Sequence, residues 1–447
     1  MRRLQSLFAG VARLLKVQAD VEGEVREASQ RKTLLANFGA IVLNGLFFPT
    51  AGKILGAGLL LAWFLDELKS PLFLIGLLIP IQYGLALLAQ PWIGQWLSGK
   101  PRSAPYYCAQ ALLRGALWCS LALTTWLTGN SNRVLLISIF FFVVAGDAIA
   151  AGLGNIAFSN ALAKTIPQRM RGRVRGGRGM FGAIIAGTAG ALISLFVSKE
   201  SGLGVFALLF AVAGVCYALG GITFGTIDEP RQPQSRKSHS AEPLVASVKE
   251  MLLKQAYRRF LFVEALLIPA RQGLVFFSIF GRRQFHLDLS ALGLLVISDA
   301  LAPLVGNFLW GKLADRQSNR LVLGAVALLS LIAPLAAVAL YLSSEAISHT
   351  LVLASFVVIV FVIGVASAGA DLATKNLLLE LAPDRKRPVY IGVNDTLVAL
   401  PTMLLVIGGP AIDWFGFLPV FIVMGLFGLG AATVSVTLPR SQTDRSP

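Results

Sequence analysis

Asp228-Glu229-Pro230-Arg231-Gln232-Pro233-Gln234-Ser235-Arg236-Lys237-Ser238-His239-Ser240-Ala241-Glu242-Pro243 holds no apolar run, in a chain built almost entirely of them. Its prolines forbid a continuous helix, and with the polar residues up to Arg259 it forms the largest polar interruption of the sequence. Working outward, apolar runs of the ~20 residues that cross a bilayer recur on both sides. They are read at 37-62, 71-97, 106-128, 134-163, 175-198 and 203-226, then at 259-281, 290-313, 320-342, 350-380, 388-410 and 416-438. The expectation is an all-α membrane protein of twelve transmembrane helices in two six-helix bundles. The bundles occupy 37-226 and 259-438, joined by a linker at 227-258, with an amino-terminal segment at 1-36 and a tail at 439-447.

Of the 447 residues, 55% are hydrophobic and only 14% charged. Soluble domains carry about 25% charged residues, so this chain cannot coat the surface of water-soluble domains. Cys108, Cys119 and Cys216 sit inside apolar runs without the paired spacing of a zinc site or disulfide framework. The net charge of +16 is a matter of location. Most Lys and Arg fall in the amino-terminal segment, the even-numbered loops and the tail, so the positive-inside rule puts both termini in the cytoplasm. The surplus then orients the chain in an inner (cell) membrane and contacts anionic lipid headgroups, leaving no reason to invoke nucleic acid.

The halves echo each other at an offset of 216 or 217 residues: Gly76 with Gly293, Gly94 with Gly311, Pro167 with Pro383. Two duplicated halves are implied, and such repeats place a substrate site at the bilayer midplane. After the eighth run the chain reads Gly311-Lys-Leu-Ala-Asp315-Arg316-Gln-Ser-Asn-Arg320. This glycine, aspartate and basic-residue pattern resembles the cytoplasmic loop signature of major facilitator superfamily transporters. The first-half counterpart, Gly94-Gln-Trp-Leu-Ser98-Gly-Lys100-Pro-Arg102, has Ser98 where the aspartate belongs.

The resemblance implies that superfamily's fold and a secondary active transporter moving a small solute by alternating access, as a monomer without cofactor or enzymatic activity. The alternative it leaves is a non-transporting protein of the same fold, serving as an assembly factor for membrane complexes. It also assigns gating to Gly94, Gly311, Asp315, Arg316 and Arg320: the glycine lets helices approach closely, and the aspartate accepts from a helix amino terminus or an arginine. Arg171 and Arg387 lie in matching basic loops, Pro167-Gln-Arg169-Met-Arg171 and Pro383-Asp384-Arg385-Lys386-Arg387, as membrane anchors or gating partners. Gly177-Arg-Gly179-Met-Phe-Gly182 has dinucleotide-fingerprint spacing but follows no strand, and is read as small-residue helix packing. Asp147 in the fourth run and the absent Gly-Pro pair of the fifth depart from the proton-coupled drug antiporters of the superfamily.

Charge at the bilayer centre costs at least ~2.5 kcal/mol on insertion scales unless paired or hydrated. Lys53 lies in the first run and Arg271 in the seventh, almost at the repeat offset. In this superfamily those helices line the cavity, so the two cations are candidates to hold an anionic or amphiphilic substrate, together with Asn44 and Glu264. The competing reading is an internal ion pair with Asp147 or Asp299, or outward snorkelling of Lys53. Glu264 and Arg271, seven residues apart, share one helix face. Asp147 and Asp299 are candidates for ion coupling, with structural pairing equally open. Asp371 and Lys375, at i and i+4, are expected to neutralise each other, and Arg114, Asp395, Asn160 and Asn376 complete the polar set.

Leu4, Leu7, Phe8, Val11, Leu14 and Leu15 recur at helical spacing among Arg2, Arg3, Arg13 and Lys16, as an interfacial amphipathic helix. His239, His286 and His349 are scattered, with no second metal ligand in register and no nucleophile beside them. No metal chemistry, and no Walker-type phosphate loop, is readable.

Overall fold

The computed structural model describes residues 28–196, 202–231, 244–344, 347–383 and 387–438. The amphipathic helix expected at the amino terminus and residues 232–243 of the linker lie outside the described residues. Among the described residues, eleven helical stretches are long and apolar enough to cross a membrane: Gln30–Glu67, Leu72–Ser98, Arg133–Thr165, Gln168–Ser194, Gly202–Gly225, Gln255–Gln284, Leu289–Arg316, Asn319–Leu342, His349–Leu381, Val389–Phe415 and Phe417–Ser435. Ala104–Thr128, a 25-residue helix holding Gln110 and Arg114, is the third in order and completes twelve. They are called spans one to twelve below.

Several spans are broken rather than continuous. The first runs as helix Ala28–Ile54 with Pro49 inside, passes through an extended Gly56 (φ −63°, ψ 129°), and continues as a π turn, Ala57–Leu61, and helix Ala62–Glu67. In the seventh, Pro269 removes a backbone donor near the end of helix Gln255–Gln272, and Leu274–Gln284 resumes after Gly273. Gly56 and Gly273 stand at the 217-residue offset, so the two halves break at corresponding points. The second span carries a π turn at Pro80–Leu85. In the membrane such breaks persist only where protein or a polar cavity satisfies the freed backbone groups. At the seventh-span break the Gly273 amide donates to the Pro269 carbonyl at 2.8 Å, and Ser367 Oγ of the tenth span donates to the Arg271 carbonyl at 3.3 Å.

Close packing divides the chain into two compact units, and the division differs from a cut at the linker. The first comprises residues up to Leu55, Ala89–Thr188 and the stretch from Gly202; the second takes Gly56–Leu88, the end of the fifth span from Ala189, and the carboxy-terminal half. The boundary in the first span falls at its break, because the helix beyond Gly56 packs with carboxy-half residues: a Cβ on Gly58 would lie 2.7 Å from Leu274 Cγ. Sequence halves and packing units are therefore different partitions.

In the first unit Phe38, Ile41, Tyr107, Ala157, Ala161 and Phe224 form a buried core. The third and sixth spans touch backbone to backbone, since a Cβ on Gly115 would lie 2.8 Å from the Gly214 carbonyl. Such small-residue contacts replace the hydrophobic driving force that lipid does not supply. In the second unit Phe260, Val263, Leu267, Val322, Ala370 and Val393 do the same work. Lys254, just before the seventh span, bonds the Tyr390 hydroxyl. That contact pushes its ammonium pKa up against the smaller opposing effect of burial, with Glu250 adding to the rise.

Candidate functional site

The seventh-span break positions a polar cluster of the second unit that is open on one side. Arg271 occupies the last turn of helix Gln255–Gln272, where the carbonyl end of the helix favours a cation. Its guanidinium pairs with Asp371 of the tenth span and lies 4.0 Å from Glu264, two turns back on its own helix. Glu264 is anchored from the eleventh span by Asn394 Nδ2, which donates at 3.0 Å, while Tyr257 donates to Asn394 Oδ1 at 2.9 Å. The side chain of Asp371 is 51% exposed, against 17% for Arg271 and 7% for Glu264. One carboxylate partner of Arg271 is thus sealed and the other open. Asp395 and Asp371 lie within electrostatic reach of Glu264, and Asp299 and Asp371 within reach of Tyr83, on the π turn of the second span.

The structure brings together Glu264 and Arg271, as their common face requires. It gives Asp371 a partner different from the expected one: Arg271 on another span rather than Lys375, which lies within reach of Asp395. An i,i+4 pair on an exposed helix face gains little, whereas a guanidinium at a broken helix end offers a directed donor. Lys53 stands at the matching place in the first unit, in the last turn of Ala28–Ile54. It and Arg271 belong to different units. Asp299 is half-buried on the eighth span.

Asp147 takes the pairing reading. Arg114 Nε and Nη2 donate to its two oxygens at 2.7 and 2.9 Å, Trp118 Nε1 donates at 2.7 Å, and Arg114 also donates to the Tyr217 hydroxyl at 2.5 Å. Side-chain exposures of 9% and 3% leave this bidentate pair dry. One of the two internal partners weighed for Lys53, Asp147, is therefore already engaged by Arg114.

Asn44 also serves the scaffold. Fully buried, it donates to the Gly220 carbonyl at 2.7 Å, and its Oδ1 accepts from Tyr107 at 3.3 Å and from Arg178 Nε at 3.0 Å. Sequence reasoning passed over Arg178, hidden in the lookalike Gly177-Arg-Gly179; the signal that could have found it is a cation deep in the fifth span.

The gating candidates divide. Arg171 donates to the carbonyls of Ile166 and Ala163 at 3.0 and 2.8 Å, capping the fourth span's carbonyl end. Arg320 likewise bonds the Val436 carbonyl at the end of the twelfth. Asp315 and Arg316 are exposed, and Arg387 opens the eleventh-span helix, also exposed. A Cβ on Gly311 would meet nothing within 4 Å, and one on Gly94 only Ile156 at 3.6 Å, so neither glycine is required by close helix approach. The eighth-to-ninth loop is held instead by Asn319, which donates to Glu380 at 2.6 Å and accepts from Asn376 at 3.0 Å.

Where Ser98 replaces the expected aspartate, the linker supplies a carboxylate to the same region. Glu229, 1% exposed, accepts from the amides of Ser103 and Ala104 at 2.7 Å each and from Lys164 at 3.0 Å. It fills the amino terminus of the third span and ties it to the fourth. Near the odd-loop end of the second unit, Asp66 accepts from Arg282 at 2.7 Å and Arg283 at 2.8 Å, and Glu67 from Arg282, with Arg282 stacked over Trp63. Among the described residues, no group of three His, Cys, Asp or Glu is placed to hold a metal.

Residues 272–447 match the model of the Major Facilitator Superfamily. No curated protein matches the chain in sequence. Among solved structures, a nucleoside transporter superposes with a TM-score of 0.70 at 12% identity, covering 89% of this chain and 98% of its own. The inward-open xylose transporter XylE from E. coli gives 0.65 at 14%, covering 92% and 97%. A POT family transporter in complex with 5-aminolevulinic acid gives 0.66 at 15%, covering 90% and 94%. The carboxy-terminal part of the chain thus matches the Major Facilitator Superfamily in sequence, and the described length shares the fold of these transporters.

Proposed function

We propose that the protein is a secondary transporter that moves a small solute by alternating access, with the Arg271 cluster as its coupling centre. One observation carries the reading: a guanidinium at a broken helix end is shared between a sealed carboxylate, Glu264, and an open one, Asp371. Broken spans at corresponding points of two repeats are where transporters of this architecture bind their cargo. Neutralising Asp371 by a proton, or by the cationic part of a solute, releases Arg271 towards Glu264 or towards an incoming anion. The cluster thereby links the charge state of the site to the packing of the seventh and tenth spans. Asp299 and Tyr83 flank the same region, and Lys53 is the first unit's counterpart of Arg271. An anionic solute must compete with two carboxylates at Arg271, so the open Asp371 is the more accessible end of the cluster. The positive-inside distribution supports cytoplasmic termini.

The test uses the full chain in liposomes carrying an internal pH dye, challenged with panels of nucleosides, pentoses, short peptides and organic acids. Solute-dependent proton movement that Asp371→Asn abolishes supports the reading. A flux of the same solute that Asp371→Asn and Arg271→Gln both leave unchanged would remove the cluster from the mechanism.

A further inference from the structure

We propose that Arg178 is a binding residue for an anionic oxyacid group, a carboxylate or a phosphate, aimed by Asn44 and Tyr107 as positioning residues. The proposal concerns the first unit alone and stands whether or not the Arg271 cluster couples transport.

Arg178 lies ten residues into the span Gln168–Ser194, roughly 15 Å of helix rise from its start. The exposed Arg169, Arg173 and Arg175, nearer that start, suffice to anchor the helix at the interface. Arg178 instead turns inward. Its Nε donates to Asn44 Oδ1 at 3.0 Å and its Nη2 to the Tyr107 hydroxyl at 3.2 Å, while its Cζ sits 4.2 Å from the Phe158 ring centre and 5.5 Å from that of Phe48. A Cβ on Gly45 would lie 2.6 Å from the Cα of Arg178, so the first span leaves space for the fifth at this level.

The partners are fixed before they meet the guanidinium. Asn44 is tied to the Gly220 carbonyl, and the Tyr107 hydroxyl accepts from Arg178 while donating to Asn44. Both receive the cation with lone pairs already directed, and both are neutral. This separates Arg178 from Arg114, Arg271 and Arg282, each of which has a carboxylate within pairing distance. Among the described residues Arg178 has none, and its Nη1 makes no hydrogen bond to another described side chain or carbonyl. Nη1 is also not sealed in the interior, since Arg178 is half-buried and absent from the buried unsatisfied groups. A guanidinium anchored through Nε and one Nη2 hydrogen presents its Nη1–Nη2 edge, the fork that suits two oxygens of a carboxylate or phosphate. The desolvation that makes an intramembrane cation costly is what an anion at that edge would offset.

Two sources share this chemistry, a soluble anion and a lipid headgroup, and one experiment separates them. The full chain is placed in nanodiscs of phosphatidylcholine, and its thermal stability and tryptophan fluorescence are titrated with inorganic phosphate and with succinate, at constant ionic strength set by chloride. In parallel, phosphatidylglycerol is added to the discs. Wild-type protein should show a saturable shift with phosphate or succinate if the source is soluble, or with phosphatidylglycerol if it is the lipid. Arg178→Gln should weaken the response about tenfold or more, and Arg178→Lys should restore part of it. Asn44→Asp keeps the arginine but places a carboxylate against it, at the loss of the donor to the Gly220 carbonyl, and should weaken anion binding; Arg178→Lys, which leaves Asn44 and its Gly220 bond intact, guards against a misfolded variant. A response of equal size in Arg178→Gln, or no response of the wild type in any arm, overturns the proposal. Either result leaves the Asp371 flux test unaffected.

Discussion

The same helix contact occurs twice in this molecule with opposite chemistry. Phe48 of the first span faces Arg178 of the fifth, and 216 residues later Glu264 of the seventh faces Asn394 of the eleventh. In one, a cation lies over an aromatic ring and is held by neutral acceptors; in the other, an amide holds a carboxylate that also neighbours Arg271. The repeat preserved where the helices meet while the charges there diverged. Duplication conserves helix spacing because packing tolerates little change in volume, whereas the charge carried at that spacing follows the partners that meet it. A second pair makes the same point. Arg114–Asp147 is dry and bidentate, whereas Arg271–Asp371 is open on its carboxylate side.

Substitutions separate the dry pair from the open one. The largest effect is expected at the dry pair. Arg114→Ala strands Asp147 in a nonpolar interior and should cost about 3–5 kcal/mol, read as a loss of thermal stability, whereas joint replacement by apolar residues of similar volume should recover most of it. A loss no greater than that of a lipid-facing control would mean that water reaches the pair. Next is Glu229→Gln, which weakens charge-assisted bonds to the third-span amides and Lys164. About 1.5–3 kcal/mol is expected, with faster amide exchange confined to Ser103 and Ala104. Phe48→Glu then gives the first half the carboxylate that the second half has at Glu264. It should pair with Arg178 and weaken anion binding in the nanodisc titration about tenfold, worth 1.4 kcal/mol, and it also lowers thermal stability, because the ring contacts to Tyr107 and Tyr217 are lost. The smallest effect tests the repeat itself. Asn132 caps the fourth span by accepting from the Leu135 amide at 3.0 Å, and Ser348 caps the tenth, 216 residues on, by accepting from Leu351 at 3.4 Å. Alanine at either should cost about 1 kcal/mol, with the shorter Asn132 bond the more costly to lose; unequal sizes in the reverse order would show that cap geometry does not set the difference.

Much of the architecture was legible because bilayer crossing imposes a length and an apolarity that can be read residue by residue. The duplicated breaks were half legible. Pro269 and Gly273 mark the seventh, but the first hinges on Gly56, one glycine among 44. The charged residues were legible as residues and opaque as partners. Asp371 and Lys375 satisfied an i,i+4 rule, yet Arg271, a hundred positions away, provides the bond. Asp147 offered itself as a titrating group until Arg114 and Trp118 filled its oxygens. Ser98 pointed to a missing latch, and Glu229, beyond four intervening spans, occupies the neighbouring helix terminus.

Hydropathy read along the chain was enough to give twelve crossings in two related halves, because hydrophobic transfer is local and additive along a helix. Which charges cancel, which residues merely hold others, and that Arg178 meets neutral partners emerged from the packing of the helices. Pairing depends on distances across helices, and those are set by packing between segments far apart in the chain.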